Sequence, residues 1–403
     1  MTETASRGTE PLRVLFAVPP GIGHVFPVVP LAWALRAAGH EVLVATAADG
    51  VAAVVRAGLP VVDTAPGLDV KAVFGAGQDT GRALAAQLRE HGEEFVRSGG
   101  RTPDFVLGLY ARISDRMAGE TVRLARYWRP DVVVHTADQG AGLLAACATG
   151  VPSVEHGINF VREDALPERF LPFLAETAAR LGVPDRLPER AALHVVPAEF
   201  LVGDGEGWPL RYVPYNAGGV LPDWLCRPAE RPRVLVTLGT VLPSLGGLGG
   251  VAPLLAATAE LDAEVLLAFG DGVDADALGP LPANTRLTGW VPLAALLASC
   301  SAIVHHGGSG TTLTALAAGV PQLVLPQAAD QFVNAEVVAA HGLGVRRDPS
   351  EVDTATIRSL VADGELRVAA RAAVARIRAQ PAPAAVVPRL EALARRVPSP
   401  APA

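Results

Sequence analysis

The sequence predicts an α/β protein of two doubly wound, parallel-sheet domains in tandem. Three observations carry this. A strand–turn–helix–strand rhythm opens at "RVLFAVPPGIGH" and runs through the first half. The texture breaks over residues 215–232, where Gly, Pro and charge cluster. The same rhythm then restarts at "RVLVTLGT" (233–240). A ligand would bind between two such domains, beyond the carboxyl ends of the strands.

The elements follow in order. Residues 13–18, "RVLFAV", form an apolar run suited to a buried parallel strand. The turn "PPGIGHVFP" leads into a helix that ends near Gly39, where a C-cap belongs. Strands are expected at 41–46, 59–64, 130–136 and 151–157, with 192–197 as the last buried strand of this half. Residues 80–128 read as long amphipathic helices, and 140–150 as a helix closed by Gly150. In the second half, strands are expected at 233–240, 264–269, 301–305 and 321–325. "LTGWVP" (287–292) reads as a strand ended by Trp290. Helices follow at 354–362, 366–379 and 384–396. The expected division is a first domain over 11–214, a linker over 215–232 and a second domain over 233–380. A C-terminal helix and tail, 381–403, is placed to pack back on the first domain.

Composition narrows the function. The chain has 403 residues, half of them apolar, enough for two sizeable cores. A net charge of −7 argues against a general electrostatic grip on nucleic acid or an anionic membrane. The polar start "MTETASRGTEPLRV" lacks the apolar core of a signal peptide, and the uncharged runs carry Pro and paired Gly unlike a membrane span. A cytoplasmic protein, monomer or homodimer, is expected. Cys147, Cys226 and Cys300 are far apart, with no CxxC, and read as buried reduced thiols.

The stretch from Ile303 to Gln331 carries the chemistry. No Asp, Glu, Lys or Arg lies between Arg286 and Asp330. A strand ends at His305, the chain turns through "HGGSG", and a helix begins near Thr311 or Thr312. Gly307, Gly308 and Gly310 permit a tight turn and close approach of a ligand. The N–H groups of Ser309, Gly310 and Thr311 would point outward at a helix N-terminus, an anion site strengthened by the helix dipole. A plain glycine turn is the alternative. Trp290 either packs in the core or stacks on a nucleobase. Asp330 and Gln331 fall at a strand's carboxyl end, where they could hold sugar hydroxyls; Asp330 also reads as an N-cap.

Taken as a set, W-x-P, HHGGSGT, G-x-P-x-x-x-x-P and DQ over residues 290–331 resemble the nucleotide-sugar half of GT-B glycosyltransferases. More narrowly, they resemble family 1, in the bacterial branch that glycosylates antibiotic natural products. "FAVPPGIGHVFPVVPLAWALRAAGHEVLVAT" resembles that family's opening strand, turn and helix, and "RYVPYN" (211–216) the bacterial branch. The resemblance implies two Rossmann-like domains facing a cleft. It also implies an inverting, metal-independent transfer from a nucleotide sugar to an apolar aglycone, with the nucleotide sugar as co-substrate and no other cofactor.

By that resemblance His24 is the general base, His305 binds diphosphate, Thr240 contacts phosphate and Trp290 stacks on the base. Val291, Gly308, Ser309, Gly310 and Thr311 complete the nucleotide side, and Asp330 with Gln331 contacts the donor sugar. Independently, a histidine in the turn after the first strand belongs at the cleft, where a neutral imidazole suits proton abstraction. Phe74, Phe95, Tyr110 and His156 are candidates for the acceptor side, and Phe105 could join them; core packing is the alternative for each. The helices over 65–128 would supply the apolar acceptor surface.

Two departures from the family pattern matter. The acidic residue that orients the histidine is replaced by Thr136, with Asp138 two residues on. Either Asp138 turns in to fix the tautomer, or His24 works without a carboxylate. The position that holds a ribose-binding Glu in UDP-sugar relatives is Leu313. Leucine against a ribose hydroxyl would cost roughly 1–3 kcal/mol. Hence a thymidine diphosphate (TDP) sugar, deoxygenated, is the expected donor, with a UDP-sugar or a non-catalytic activator role as alternatives. "DADA" (274–277) has the Asp-x-Asp of metal-dependent transferases but no following motif, and His91, His135 and His156 have no metal-ligand spacing. No metal is expected.

Overall fold

The computed structural model describes residues 10–74, 78–237, 251–270, 278–362 and 364–396. Two parallel sheets organise the chain. The first holds β1 (Arg13–Ala17), β2 (Glu41–Thr46), β3 (Val61–Asp63), β4 (Val132–His135), β5 (Ser153–His156), β6 (Arg190–His194) and β7 (Trp208–Pro209). Its order is β3-β2-β1-β4-β5-β6-β7. The second holds β8 (Arg233–Thr237), β9 (Glu264–Leu267), β10 (Thr285–Leu287), β11 (Ala302–His305), β12 (Gln322–Val324) and β13 (Gly344–Arg346), in the order β10-β9-β8-β11-β12-β13. The inner strands are apolar runs because helices cover both faces: Val132, Val133, Val134, Val234, Leu235 and Val236 have no exposed surface.

Three details differ from the sequence reading. The first sheet gains an edge strand, β7, beyond the strand expected to be last. β10 stops at Leu287, leaving Trp290 in the loop after it. The three-residue edge strand β13 went unread, being too short for an alternating pattern. Cys147 is buried, but Cys226 is exposed, so the thiols do not share one environment.

The two sheets are joined by more than the linker. One apolar cluster includes Val25, Val28 and Leu31 of the helix Ile22–Ala37, strand residues of the first sheet, and Leu313 and Leu316 of the helix Ser309–Ala318. It also takes in Val386, Val387, Leu390 and Leu393 of the helix Pro383–Arg396, so the chain's last described helix packs on the first sheet's unit. Polar contacts fix it there: His40 Nε2 lies 3.1 Å from Glu391 Oε1, and Arg211 N–H donates to the Pro381 carbonyl at 2.8 Å.

A second crossing lies over the cleft. The helix Gln78–Arg97 packs on the helix Gln331–Ala340 of the other unit. The Ala329 N–H donates to the Leu88 carbonyl at 3.1 Å. A Cβ on Gly92 would lie 2.5 Å from Phe332 Cδ2 and 2.8 Å from the Ala329 oxygen, so only glycine permits this approach. The Arg89 and Arg346 guanidinium groups lie 5.7 and 5.3 Å from the Phe332 ring centroid.

Candidate active site

Strand order reverses beside β1 and β4 in the first sheet, and beside β8 and β11 in the second. Crevices open at such switch points, beyond the carboxyl ends of the strands. From β1 the chain turns at Gly21 (φ +105°) and enters the helix Ile22–Ala37, which puts His24 in its first turn. Past the end of β4 comes Asp138. His24 Nδ1 lies 3.0 Å from Asp138 Oδ2. The Thr136 hydroxyl donates to Asp138 Oδ1 at 2.5 Å. Thr136 has no exposed surface, while the side chains of His24 and Asp138 are 20% and 18% exposed, so the pair still reaches the cleft.

The electrostatics follow from this. Burial lowers the affinity of His24 for a proton, but the Asp138 charge and hydrogen bond outweigh it, with help from Asp330 and Asp49; the net shift is upward. Burial pushes the Asp138 carboxyl up, but His24 and the Thr136 hydroxyl bring it below its ordinary value. Tyr110 stands edge-on to His24, with ring centroids 5.9 Å apart, and Phe74 stands edge-on to Tyr110.

In the second sheet the chain leaves β11 through His306, Gly307 and Gly308. Gly307 adopts φ +92°, and a Cβ there would meet Val324 Cγ1 at 2.8 Å and the Gln331 oxygen at 3.1 Å. The helix starts at Ser309, two or three residues earlier than the sequence suggested. Its first intrahelical bond runs from Thr312 N–H to the Gly308 carbonyl. The N–H groups of Ser309, Gly310 and Thr311 therefore precede the helical ladder, at the positive end of the dipole. Two side chains at the linker's start brace this helix: the Tyr212 hydroxyl donates to the Gly310 carbonyl at 3.3 Å, and Asn216 Nδ2 donates to Thr314 Oγ1 while its Oδ1 accepts the Ala294 N–H of the helix Leu293–Leu297.

His305 is a correction. It has no exposed surface, and both ring nitrogens are engaged within the protein. Nε2 lies 2.9 Å from Gln322 Oε1, and Nδ1 accepts the Gly307 N–H at 3.0 Å. Burial lowers its pKa to about 3, so the ring is a neutral brace for the turn and not a contact for diphosphate. The partly exposed neighbour, His306, packs beside Gly308 instead; burial brings it to about 4.

Asp330 is the N-cap residue of the helix Gln331–Ala340 but makes no capping bond with its side chain. Its Oδ2 accepts from Ser309 Oγ at 2.6 Å and from Asn334 Nδ2 at 3.3 Å. Oδ1 carries no hydrogen bond among the described residues. Burial raises the carboxyl against these two donors. Gln331 folds the loop before it, its Oε1 accepting the N–H groups of Gln327 (2.9 Å) and Ala328 (3.2 Å). Its Nε2 has no partner among the described residues.

The glycine-cradled helix N-terminus and the Asp330–Gln331 pair lie near enough to the His24–Asp138 pair of the other sheet for the Asp330 charge to raise the proton affinity of His24. Comparison with known proteins identifies the family. The N-terminal domain profile of erythromycin biosynthesis protein CIII-like proteins matches residues 33–239, and the C-terminal profile matches residues 252–393. The chain belongs to the erythromycin biosynthesis protein CIII-like glycosyltransferase family. It is 44% identical to the elloramycin glycosyltransferase ElmGT of Streptomyces olivaceus, over 94% of this chain and 97% of that one. The glycosyltransferase SnogD of Streptomyces nogalater has a similar crystal structure, with a TM-score of 0.81 at 38% identity, covering 96% of this chain and all of that one. The glycosyltransferase SsfS6 of Streptomyces sp. SF2575, crystallised with thymidine diphosphate, matches with a TM-score of 0.75 at 31% identity, over 94% and 99% of the two chains. The architecture is GT-B, and the protein is a glycosyltransferase of antibiotic natural-product biosynthesis.

Within this CIII-like glycosyltransferase the other expected site residues divide. Trp290 is 37% exposed in the loop after β10; partly exposed Tyr110 adjoins His24, and partly exposed Phe74 adjoins Tyr110. Three residues are corrections. Val291 is buried in a small core with Leu235, Leu296 and Leu297. Phe95 is buried, so it offers the acceptor little surface. His156 is wholly buried, with Nδ1 held by the Gly157 carbonyl at 2.8 Å and a pKa lowered by burial to about 4. Phe105 stacks on His91. Leu313 also departs from its expected role: it lies in the shared core with no exposed surface, so it cannot face a ribose from this position. Thr240 and the "DADA" segment lie outside the described residues. Among the described residues, no group of three His, Cys, Asp or Glu could hold a metal ion, and no helix is long and apolar enough to cross a membrane. Sequence reasoning missed His306 and Asn334. The signal for Asn334 was its place one turn after Asp330, on the same helix face.

Proposed function

We propose that the protein transfers a deoxysugar from a TDP-sugar to a hydroxyl of an apolar aglycone of the enediyne, macrolide or polyketide kind, with inversion and without a metal ion. The observation that carries this reading is the contact between His24 Nδ1 and Asp138 Oδ2 at 3.0 Å, which leaves Nε2 for the acceptor. The acceptor O–H proton passes to His24 Nε2. The oxygen bonds to the anomeric carbon from the face opposite the nucleotide. The bond from that carbon to the diphosphate breaks, and its electron pair stays on the diphosphate oxygen.

Asp138 stabilises the imidazolium that forms. The N–H groups of Ser309, Gly310 and Thr311, at the helix N-terminus, receive the diphosphate charge. Asp330 Oδ1 and Gln331 Nε2 offer an acceptor and a donor to sugar hydroxyls. Tyr110 offers the acceptor an amphipathic ring next to the base, and Phe74 an apolar ring on the other side of Tyr110. The thymidine diphosphate in the SsfS6 crystal supports the choice of nucleotide, and the similarity to an elloramycin glycosyltransferase supports the class of acceptor.

The test is a screen of TDP-deoxysugars against polyketide and macrolide aglycones, with product detected by mass and its anomeric configuration assigned by NMR. Wild-type protein should give an inverted product in the presence of EDTA. His24→Ala should lose about 10²–10⁴-fold in turnover while still binding TDP. A retained configuration would sink the in-line mechanism, and loss of activity with EDTA would sink metal independence. Tighter binding of UDP than of TDP would favour a UDP-sugar donor. Full turnover by His24→Ala would sink His24 as the base, whereas an activating effect on a partner enzyme that survives His24→Ala would favour a non-catalytic role.

A further inference from the structure

Asn334 lies one turn into the helix Gln331–Ala340 and has no exposed surface. Asparagine is a poor helix former, and a buried amide must find partners. The Asn334 Nδ2 atom finds three. It donates to the Gly307 carbonyl at 2.8 Å and lies 3.0 Å from Ser309 Oγ and 3.3 Å from Asp330 Oδ2. Its Oδ1 is buried without a partner.

The orientation of this amide is forced. The Gly307 carbonyl and the Asp330 carboxylate only accept hydrogen bonds, so a flipped amide would set oxygen against oxygen at both. Leucine has nearly the same size, suits a helix better and would leave no orphaned oxygen. The amide's N–H groups are therefore what the position uses. They join two subsites that are separate in sequence. Gly307 and Ser309 belong to the turn and helix start that receive the diphosphate, and Asp330 to the loop that meets the sugar. Ser309 closes the triangle through its own bond to Asp330 at 2.6 Å.

We propose that Asn334 is a positioning residue that locks the diphosphate turn and the sugar-facing carboxylate into one unit, so that the two halves of the donor are recognised together. The inference rests on the functional reading above. Asn334 touches no substrate in it; it acts through Gly307, Ser309 and Asp330.

A double-mutant cycle read by calorimetric titration with TDP alone tests the coupling. Asp330 faces the sugar, so an uncoupled Asp330→Ala would bind TDP like wild type. In a locked unit Asp330→Ala frees Ser309 and Asn334, and TDP affinity falls severalfold. Asn334→Leu removes the lock itself and should weaken TDP by about 10–100-fold, the range for losing hydrogen bonds to a charged group. Adding Asp330→Ala to Asn334→Leu should then cost little more, because the coupling is already gone. Melting temperatures of all variants check folding. If Asn334→Leu does not fold, Asn334→Ser takes its place in the same cycle. Wild-type TDP affinity in Asp330→Ala, additive losses in the double variant, or an unaltered affinity in Asn334→Leu would each overturn the proposal. Failure of folded wild-type protein to bind TDP would overturn the functional reading itself.

Discussion

Asp138 is held from both sides: His24 Nδ1 lies 3.0 Å from one carboxylate oxygen, and the Thr136 hydroxyl donates to the other at 2.5 Å. The position where a family pattern would place the acid is thus occupied by a residue that aims the acid two places on. The carboxylate raises the histidine pKa against the pull of burial.

The pH profile should report that pair. His24 accepts a proton only when neutral, so kcat/KM rises with pH through a His24 pKa lying above its ordinary value. In Asp138→Asn the largest upward influence is gone, leaving Asp330 and Asp49 against burial, so this limb should move to lower pH while the plateau rate falls. An acid limb that stays in place would show that Asp138 does not set the ionisation of the base.

Leu313 gives a test with an unexpected sign. By the family pattern, Leu313→Glu would supply a ribose contact and admit uridine nucleotides. In this fold it places a carboxyl in the core shared by the two units. The expected result is a loss of roughly 2–5 kcal/mol in stability, by urea titration, with no gain in UDP affinity. Tighter UDP binding by a stable variant would contradict the buried placement.

Two buried histidines should each make the fold less stable in mild acid. His305 and His156 are wholly buried, with pKa values lowered to about 3 and about 4, and in the unfolded chain both titrate near 6.5. Between these limits the unfolded state binds more protons. Stability is therefore lost as pH falls through the unfolded value, and the loss levels off below the folded one. Each histidine contributes a slope of about 1.4 kcal/mol per pH unit in that window. Between pH 6 and 5, where the unfolded histidine is mostly protonated and the folded one is not, unfolding free energies of wild type and His156→Gln should differ in slope by about 1 kcal/mol per pH unit. Equal slopes would mean that His156 does not titrate differently on unfolding.

Gly92→Ala offers another reversal. Alanine inside a helix usually stabilises by about 0.5–1 kcal/mol relative to glycine. Here the added Cβ meets Phe332 and the Ala329 oxygen well inside contact distance. A loss of about 1–3 kcal/mol is expected, together with weaker TDP binding as the loop before Asp330 shifts. A stabilised variant would show that the two helices separate freely.

The sheet cores, the glycine turn and His24 were legible because strand runs and turn residues fix their place locally. Asp138 was legible only as an alternative, since its direction depends on the Thr136 hydroxyl, which spacing does not reveal. The roles of His305 and His306 turn on one residue of strand register. His305 ends the ladder and points inward to Gln322, whereas His306 lies past it. A one-residue ambiguity at a strand end reverses which side chain meets the cleft. Leu313 was misread for a different reason. The helix Ser309–Ala318 is uncharged and mildly apolar on every side, so periodicity does not mark its inward face. The spacing of Asn334 from Asp330 is local, but its bonds to Gly307 and Ser309 join a distant turn that no local pattern encodes.

The close fit of Gly92 against Phe332 bears on how such enzymes can be recombined. A hybrid that takes its acceptor half from one relative and its donor half from another is naturally cut in the linker. In this protein that cut also severs a main-chain bond from Ala329 to Leu88 and the fit between two helices far from the linker. It separates the helix Pro383–Arg396 from the sheet unit on which it packs as well. Productive hybrids should therefore carry the helix Gln78–Arg97 and the segment from Ala329 to Phe332 from the same parent, and keep the last helix with the first sheet. The units of inheritance are sets of matched surfaces, not stretches of chain.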